Sequence, residues 1–306
     1  MVDLEYMNNI KLRSIPYFQK FIGHLFLGPN YRIFSNVDIQ FENIERIPKD
    51  KNIIFAMNHT DRFNYWPFQY KLWKLKEYPY TTVWVKGKYY RNDTLAKLLN
   101  WCNLIPVPSM GYLIEEFFSK KFGRRIEKDE YRAIKDAIQA NGESKHSITK
   151  RGVELAAQIE ENFIEFITPY YESIMDRVAE LSKIALLEKK LNLIIFPEGT
   201  RSTKLAEGRT GLAQLALNTG TTIVPVGCNN TDSIYPGTSP IAKSGHVIYR
   251  VGEPLSFDGK LKDLRINEEF KLFSAESRIQ YKEKFDEVTR IVMENINNLV
   301  DKRYRT

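Results

Sequence analysis

Two short segments of this sequence carry groups able to do chemistry. The first is Phe196-Pro197-Glu198-Gly199-Thr200-Arg201-Ser202, which sets one carboxylate, one guanidinium and two hydroxyls directly after the apolar residues Leu193 to Phe196. Pro197 and Gly199 favour a loop there, and ligand sites of open α/β sheets lie at such strand ends. The Arg201 guanidinium can grip a phosphate through two parallel hydrogen bonds. Backbone N–H groups around Gly199 can add to an anion nest. The plainer alternative is a polar strand-to-helix connection with a local Glu198–Arg201 pair. The second segment is Asn58-His59, just past the apolar residues Ile53 to Met57. A histidine at such a turn serves either as a general base or as a capped structural residue. Two polar clusters after two buried strands favour one shared site.

The elements that must position these groups follow from the apolar pattern. Residues 53–57 and 193–196 are short apolar runs suited to strands buried on both faces. Further strands are expected over 31–42, 81–85, 104–107, 221–226 and 246–251. Helices are expected from Asn58 to about Leu75 with a kink at Pro67, and over 93–101, 131–140, 212–217 and 276–302. Residues 152–190 read as a long helical stretch broken or bent around Pro169. Strands alternating with helices indicate an α/β fold: a mixed, mostly parallel sheet flanked by helices. We expect residues 111–190 to form a large helical insertion. Residues 1–30 are expected to form an N-terminal amphipathic helix, and 31–306 the main domain. Within the N-terminal segment Ile15, Phe18, Ile22 and Leu25 recur at spacings of three and four, flanked by Lys11, Arg13 and Lys20. That pattern fits a helix lying on a membrane surface. It fits equally a helix packed on the protein's own core.

Composition narrows the partners. The net charge of +7 calls for an anionic partner. Between Thr81 and Arg125 eight basic residues face three acids, Asp93, Glu115 and Glu116. The aromatics do not interleave with the basic residues as nucleic-acid motifs require, so no nucleic-acid partner is expected. Only Cys102 and Cys228 are present, too few for a disulfide framework, which points to a reducing, cytoplasmic compartment. Neither a transmembrane span nor a secretory signal is expected. Gly-x-Ser-x-Gly is missing, which speaks against a serine hydrolase.

Taken in order, the blocks resemble those of the glycerolipid acyltransferases, the family of lysophosphatidic acid and glycerol-3-phosphate acyltransferases. Phe196 to Ser202 is similar to the family's FPEGTRS block. Asn58-His59 resembles the start of its His-x4-Asp block, Ile223-Val224-Pro225-Val226 its final Val-Pro block, and Lys86 to Val107 the segment between. The resemblance covers about 53–107 and 193–255. It implies transfer of a fatty acyl group from acyl-CoA or acyl-carrier protein to the hydroxyl of a (lyso)phosphoglycerolipid, as in phospholipid biosynthesis. The implied protein is peripherally attached to the cytoplasmic face of a membrane. The implied partners are a phospholipid surface, an acyl thioester donor and a phosphate-bearing acceptor, with no metal or other cofactor. By the same resemblance His59 is the general base. Arg201, helped by Lys86 or Lys88, holds the acceptor's phosphate, and Glu198, Gly199 and Thr200 shape the loop and contact the glycerol.

The sequence departs from that pattern at informative places. The acid expected five residues after His59 is Asn64. An amide can orient the imidazole but brings no charge to the imidazolium. In a serine-protease triad the corresponding change costs about 10⁴ in rate. Asp61 is a possible substitute, or else a first-turn acid complementing a helix dipole. After Ile105-Pro106-Val107 the family often carries an Arg, and here Pro108 and Ser109 follow. Two functions therefore stand: an acyltransferase using His59 with Asn64 or Asp61, and an acyltransferase-fold protein that binds lipid or phosphate without turnover.

Overall fold

The computed structural model describes residues 1–142 and 147–306. Residues 143–146, part of the expected insertion, lie outside the described residues. The strands are β1 (Val37–Glu42), β2 (Ile54–Met57), β3 (Thr81–Lys86), β4 (Ile105–Val107), β5 (Asn192–Ile195), β6 (Ile223–Asn229) and β7 (Gly245–Val251). Among the described residues they form one sheet in the order β1-β7-β6-β2-β5-β3-β4. Pairing is parallel for β1 with β7, β2 with β5 and β6, and β3 with β5. It is antiparallel for β6 with β7. The sheet is thus mixed and mostly parallel, with helices on its connections.

The runs without polar alternation occupy the middle of the sheet. β2, β5 and β6 are buried at every position. Each large side chain so buried contributes about 1.5–3 kcal/mol, which holds the central strands rigidly enough to carry a site at their ends.

The chain divides into two compact units. One comprises Met1–Ile10, Val85–Leu99 and Pro106–Val178, the other Lys11–Trp84, Asn100–Ile105 and Ala179–Thr306. The first unit is mainly helical, with helices Met110–Phe122, Lys128–Gln139 and Ser147–Ile159 and most of Phe163–Lys183. Ser109 caps the first of these by accepting from Tyr112 N at 3.2 Å. A capping box of Glu127 and Glu130 starts the second. The helical stretch expected over 152–190 is two helices followed by a π-helical turn, Ile184–Glu188, with Pro169 inside the second helix.

Three expectations change in the second unit. The helix expected from Asn58 begins instead at Tyr65, so residues 58–64 form a loop. Pro67 then falls in the first turn, where a missing N–H disturbs nothing and no kink is required. The C-terminal helix expected over 276–302 is two, Ala275–Gln280 and Lys282–Leu299.

The N-terminal segment is helical over Tyr17–Ile22, π-helical over Gly23–Leu27 and helical again over Gly28–Arg32. Several of its large apolar side chains face outward while one polar side chain is buried. Gln19 is 3% exposed and Leu27 2%, whereas Tyr17 is 64%, Phe21 53% and Leu25 64% exposed. The buried amide of Gln19 donates through Nε2 to Thr81 O and Cys102 O, which offsets part of its cost of burial, while its Oε1 has no partner among the described residues. Gly23 lies flat on Trp73, since a Cβ there would come within 2.2 Å of the ring. Among the described residues no helix is long and apolar enough to cross a membrane.

Candidate active site

The register of two parallel strands builds the site. Ala56 pairs with Ile195 across β2 and β5, so His59 and Glu198 each stand three residues beyond a paired position. The β6 end lies on the other side of β2, since Met57 pairs with Val226.

The Phe196–Ser202 loop closes as a turn, with Gly199 N donating to Phe196 O at 3.0 Å. Pro197 sits at the second turn position, where its fixed φ fits, and Gly199 takes a left-handed φ of +65° that suits glycine. This loop grips the backbone of His59 from both sides. Glu198 Oε1 accepts from His59 N at 2.7 Å, and Ser202 N donates to His59 O at 2.9 Å. The second Glu198 oxygen accepts from Ala206 N at 2.9 Å. Glu198 is therefore a buried brace between two loops. Burial raises its carboxyl above the ordinary value, and the hydrogen bonds from Ala206 N and His59 N oppose that rise.

The His59 ring lies on Phe196, centroids 4.2 Å apart and planes 19° from parallel. Its Nδ1 faces Asn64 Oδ1 at 3.3 Å. The amide of Asn64 has one sensible orientation, because its Nδ2 donates to Asn58 O at 2.7 Å. Reversing it would set two carbonyl oxygens against each other. With Oδ1 toward the ring, Nδ1 carries the proton and Nε2 the lone pair, which is the tautomer a general base needs. Asn64 is fully buried and its own carbonyl accepts from Tyr249 Oη at 2.6 Å. Asn58 in turn bonds β6 reciprocally: Nδ2 to Cys228 O at 3.0 Å, and Cys228 N to Oδ1 at 2.7 Å.

Asp61 precedes the helix and is buried, so it is not a first-turn acid on a helix dipole. Its Oδ1 accepts from Phe63 N at 2.8 Å and its Oδ2 from Thr60 Oγ1 at 3.1 Å. Thr60 Oγ1 also meets Thr231 Oγ1, at 2.8 Å, beyond the end of β6. Desolvation pushes the Asp61 carboxyl up to about 6, against hydrogen bonds from Thr231, Phe63 and Thr60. Residue 64, rather than Asp61, meets His59 Nδ1.

Thr200 and Arg201 are exposed on the loop. Lys86 and Lys88 belong to the other compact unit, and Lys88 lies 5.8 Å from the centre of the Tyr89 ring. Among the described residues no group of three or more His, Cys, Asp or Glu is disposed to hold a metal. A groove of about 370 Å³, lined by Leu205, Gly208, Thr289 and Met293 among others, contains none of His59, Asn64 or Arg201. Sequence reasoning missed the bracing role of Glu198, the lock made by Asn58, and Arg209, whose side chain packs on Gly199. No spacing rule marks these residues, since each acts through a long-range contact.

A family model described as Acyltransferase matches residues 164–229. Over those residues the chain is similar to that family. The matched segment includes β5, the Phe196–Ser202 loop and β6, and His59 precedes it. A similar solved structure is that of the 1-acyl-sn-glycerophosphate (LPA) acyltransferase, PlsC, from Thermotoga maritima. It is 18% identical over 95% of this chain and 83% of that one, with a TM-score of 0.43. No curated protein matches the chain significantly.

Proposed function

We propose that this chain transfers a fatty acyl group from a thioester, acyl-CoA or acyl-carrier protein, to the hydroxyl of a lysophosphoglycerolipid at a membrane surface. The observation that carries the reading is the fixed His59 ring beside the Phe196–Ser202 loop. In this mechanism His59 Nε2 takes the proton of the acceptor hydroxyl as its oxygen attacks the thioester carbonyl. The tetrahedral intermediate then collapses, the C–S bond breaks, and the thiolate leaves with the proton from the imidazolium. Arg201 supplies a cation for the acceptor's phosphate. Positioning by the braced loops contributes much of the rate, and no metal or covalent intermediate takes part.

The outward face of the N-terminal segment supports the membrane surface. Tyr17, Phe21 and Leu25 are joined on it by Trp101, whose ring meets Phe18 at 5.2 Å. Lys11, Arg13, Lys20 and Arg32 lie in the same stretch of chain, a composition suited to an anionic interface.

The test is acyl transfer by purified protein on vesicles containing anionic phospholipid and 1-acylglycerol 3-phosphate, with labelled acyl thioester. His59→Ala is expected to lower kcat/KM by about 10²–10⁴. Unchanged turnover would end the mechanism. Phe21→Glu with Leu25→Glu is expected to abolish co-sedimentation with the vesicles, and retained binding would end the membrane assignment. The neutral Asn64 supports a second reading, a protein that binds phosphorylated lipid without turning it over. Robust turnover by the unaltered protein would eliminate it.

A further inference from the structure

The bare face of Gly199 is covered by a second arginine. A Cβ on Gly199 would stand 3.1 Å from both Cδ and Nε of Arg209. The stem of Arg209 therefore lies across the turn of the loop that bears Arg201. Its backbone is tied to the same turn, with Arg209 N donating to Pro197 O at 2.9 Å. The one carboxylate of the loop makes no ion pair with it, and both oxygens of Glu198 accept instead from His59 N and Ala206 N. Among the described residues neither Arg201 nor Arg209 is paired with a carboxylate, whereas Arg250 sits between Glu42 and Asp301, 2.7 Å from each. Both are exposed. Two guanidiniums without a carboxylate partner thus belong to one stretch of chain, and that of Arg209 lies against its left-handed glycine.

We infer that Arg209 is a second phosphate-binding residue of this site, acting with Arg201 on a phosphate monoester. Two full positive charges match the dianion of a monoester better than the single charge of a phosphodiester headgroup, and planar guanidiniums each offer two parallel donors to it. This inference rests on the acyl-transfer reading for its kinetic consequence, but not for its binding consequence.

Two measurements on the full chain test it. In the first, transfer to 1-acylglycerol 3-phosphate is compared with transfer to uncharged 1-acylglycerol. Arg209→Met is expected to lower the preference for the phosphate-bearing acceptor by about 10–100-fold, the range for a charge-assisted hydrogen bond, and Arg209→Lys to restore part of it. In the second, glycerol 3-phosphate is titrated by calorimetry, with far-ultraviolet circular dichroism confirming that each variant is folded. Arg209→Met is expected to weaken binding by a similar factor. If glycerol 3-phosphate binds in an Arg209-dependent way while no acyl acceptor is turned over, acyl transfer fails and this inference stands. If the unaltered protein turns over the acceptor with a preference that Arg209→Met leaves unmoved, the inference fails and acyl transfer stands. Equal glycerol 3-phosphate affinity in both proteins, or none in the unaltered one, also overturns it.

Discussion

Replacing Asn64 with Asp separates what the amide holds from what a charge would add. A carboxylate oxygen at the position of Asn64 Oδ1, 3.3 Å from His59 Nδ1, attracts an imidazolium by about 5 kcal/mol at an effective dielectric near 20. Against this stand two costs. Residue 64 is fully buried. At Asp61, in the same loop, desolvation pushes the carboxyl up to about 6, which is roughly 3 kcal/mol against the charged form. The oxygen replacing Nδ2 would also face Asn58 O at 2.7 Å, and an ionised group there leaves that carbonyl unpaired at about 2 kcal/mol. At pH 7 an ordinary aspartate favours ionisation by about 4 kcal/mol. The new carboxyl is then about 1 kcal/mol short of ionised in the free protein. The transition state gains about 5 kcal/mol less that 1, so kcat/KM is expected to rise by about 10³.

The same substitution weakens the fold. A buried acid with a raised folded-state value is fully accommodated below its unfolded value and loses stability as pH rises through the folded one. Asn64→Asp is therefore expected to cost about 4 kcal/mol of stability near pH 7 and little near pH 4. Steady-state acyl transfer at pH 7 and thermal unfolding between pH 4 and 7.5 measure both effects. Activity within threefold of the parent would show that residue 64 does not orient the ring. A stability loss independent of pH would refute the burial argument.

Two further substitutions probe the supports of the site. For Asp61, the raised folded-state value of about 6 means a contribution present below about pH 4 and lost as pH rises through 6. Asp61→Asn is therefore expected to gain on the parent by roughly 3 kcal/mol between pH 4 and pH 7 in thermal unfolding, and a flat difference would contradict the assignment. Glu198→Gln can satisfy only one of the two backbone donors held by Glu198. It is expected to cost about 2 kcal/mol of stability, a loss that would not occur if Glu198 merely reached toward the glycerol.

Several parts of this protein were readable without coordinates because they depend on near neighbours in the chain. Apolar runs at 53–57 and 193–196 suit buried strands, and they are the central β2 and β5. The turn at Pro197 and Gly199 follows from the conformational limits of those two residues. The helix boundary at Asn58 was misread because Asn and Thr cap helices locally, whereas here their side chains bond to β6 and Thr231 instead. The N-terminal apolar stripe was equally ambiguous. Its outward orientation was decided by Gln19 reaching Thr81 and Cys102 and by Gly23 lying on Trp73.

What the sequence by itself determined is the position of the two candidate clusters and the strands that carry them, since composition and short spacing suffice for both. What only the tertiary structure decided is their geometry. The parallel register of β2 and β5 sets Glu198 on His59 N across 139 residues of chain. The Asn58 carbonyl orients the Asn64 amide and so selects the His59 tautomer. Arg209 returns over Gly199. Each is a pairing of groups whose partner is set by packing rather than by its neighbours in sequence, and local patterns carry no record of such pairings.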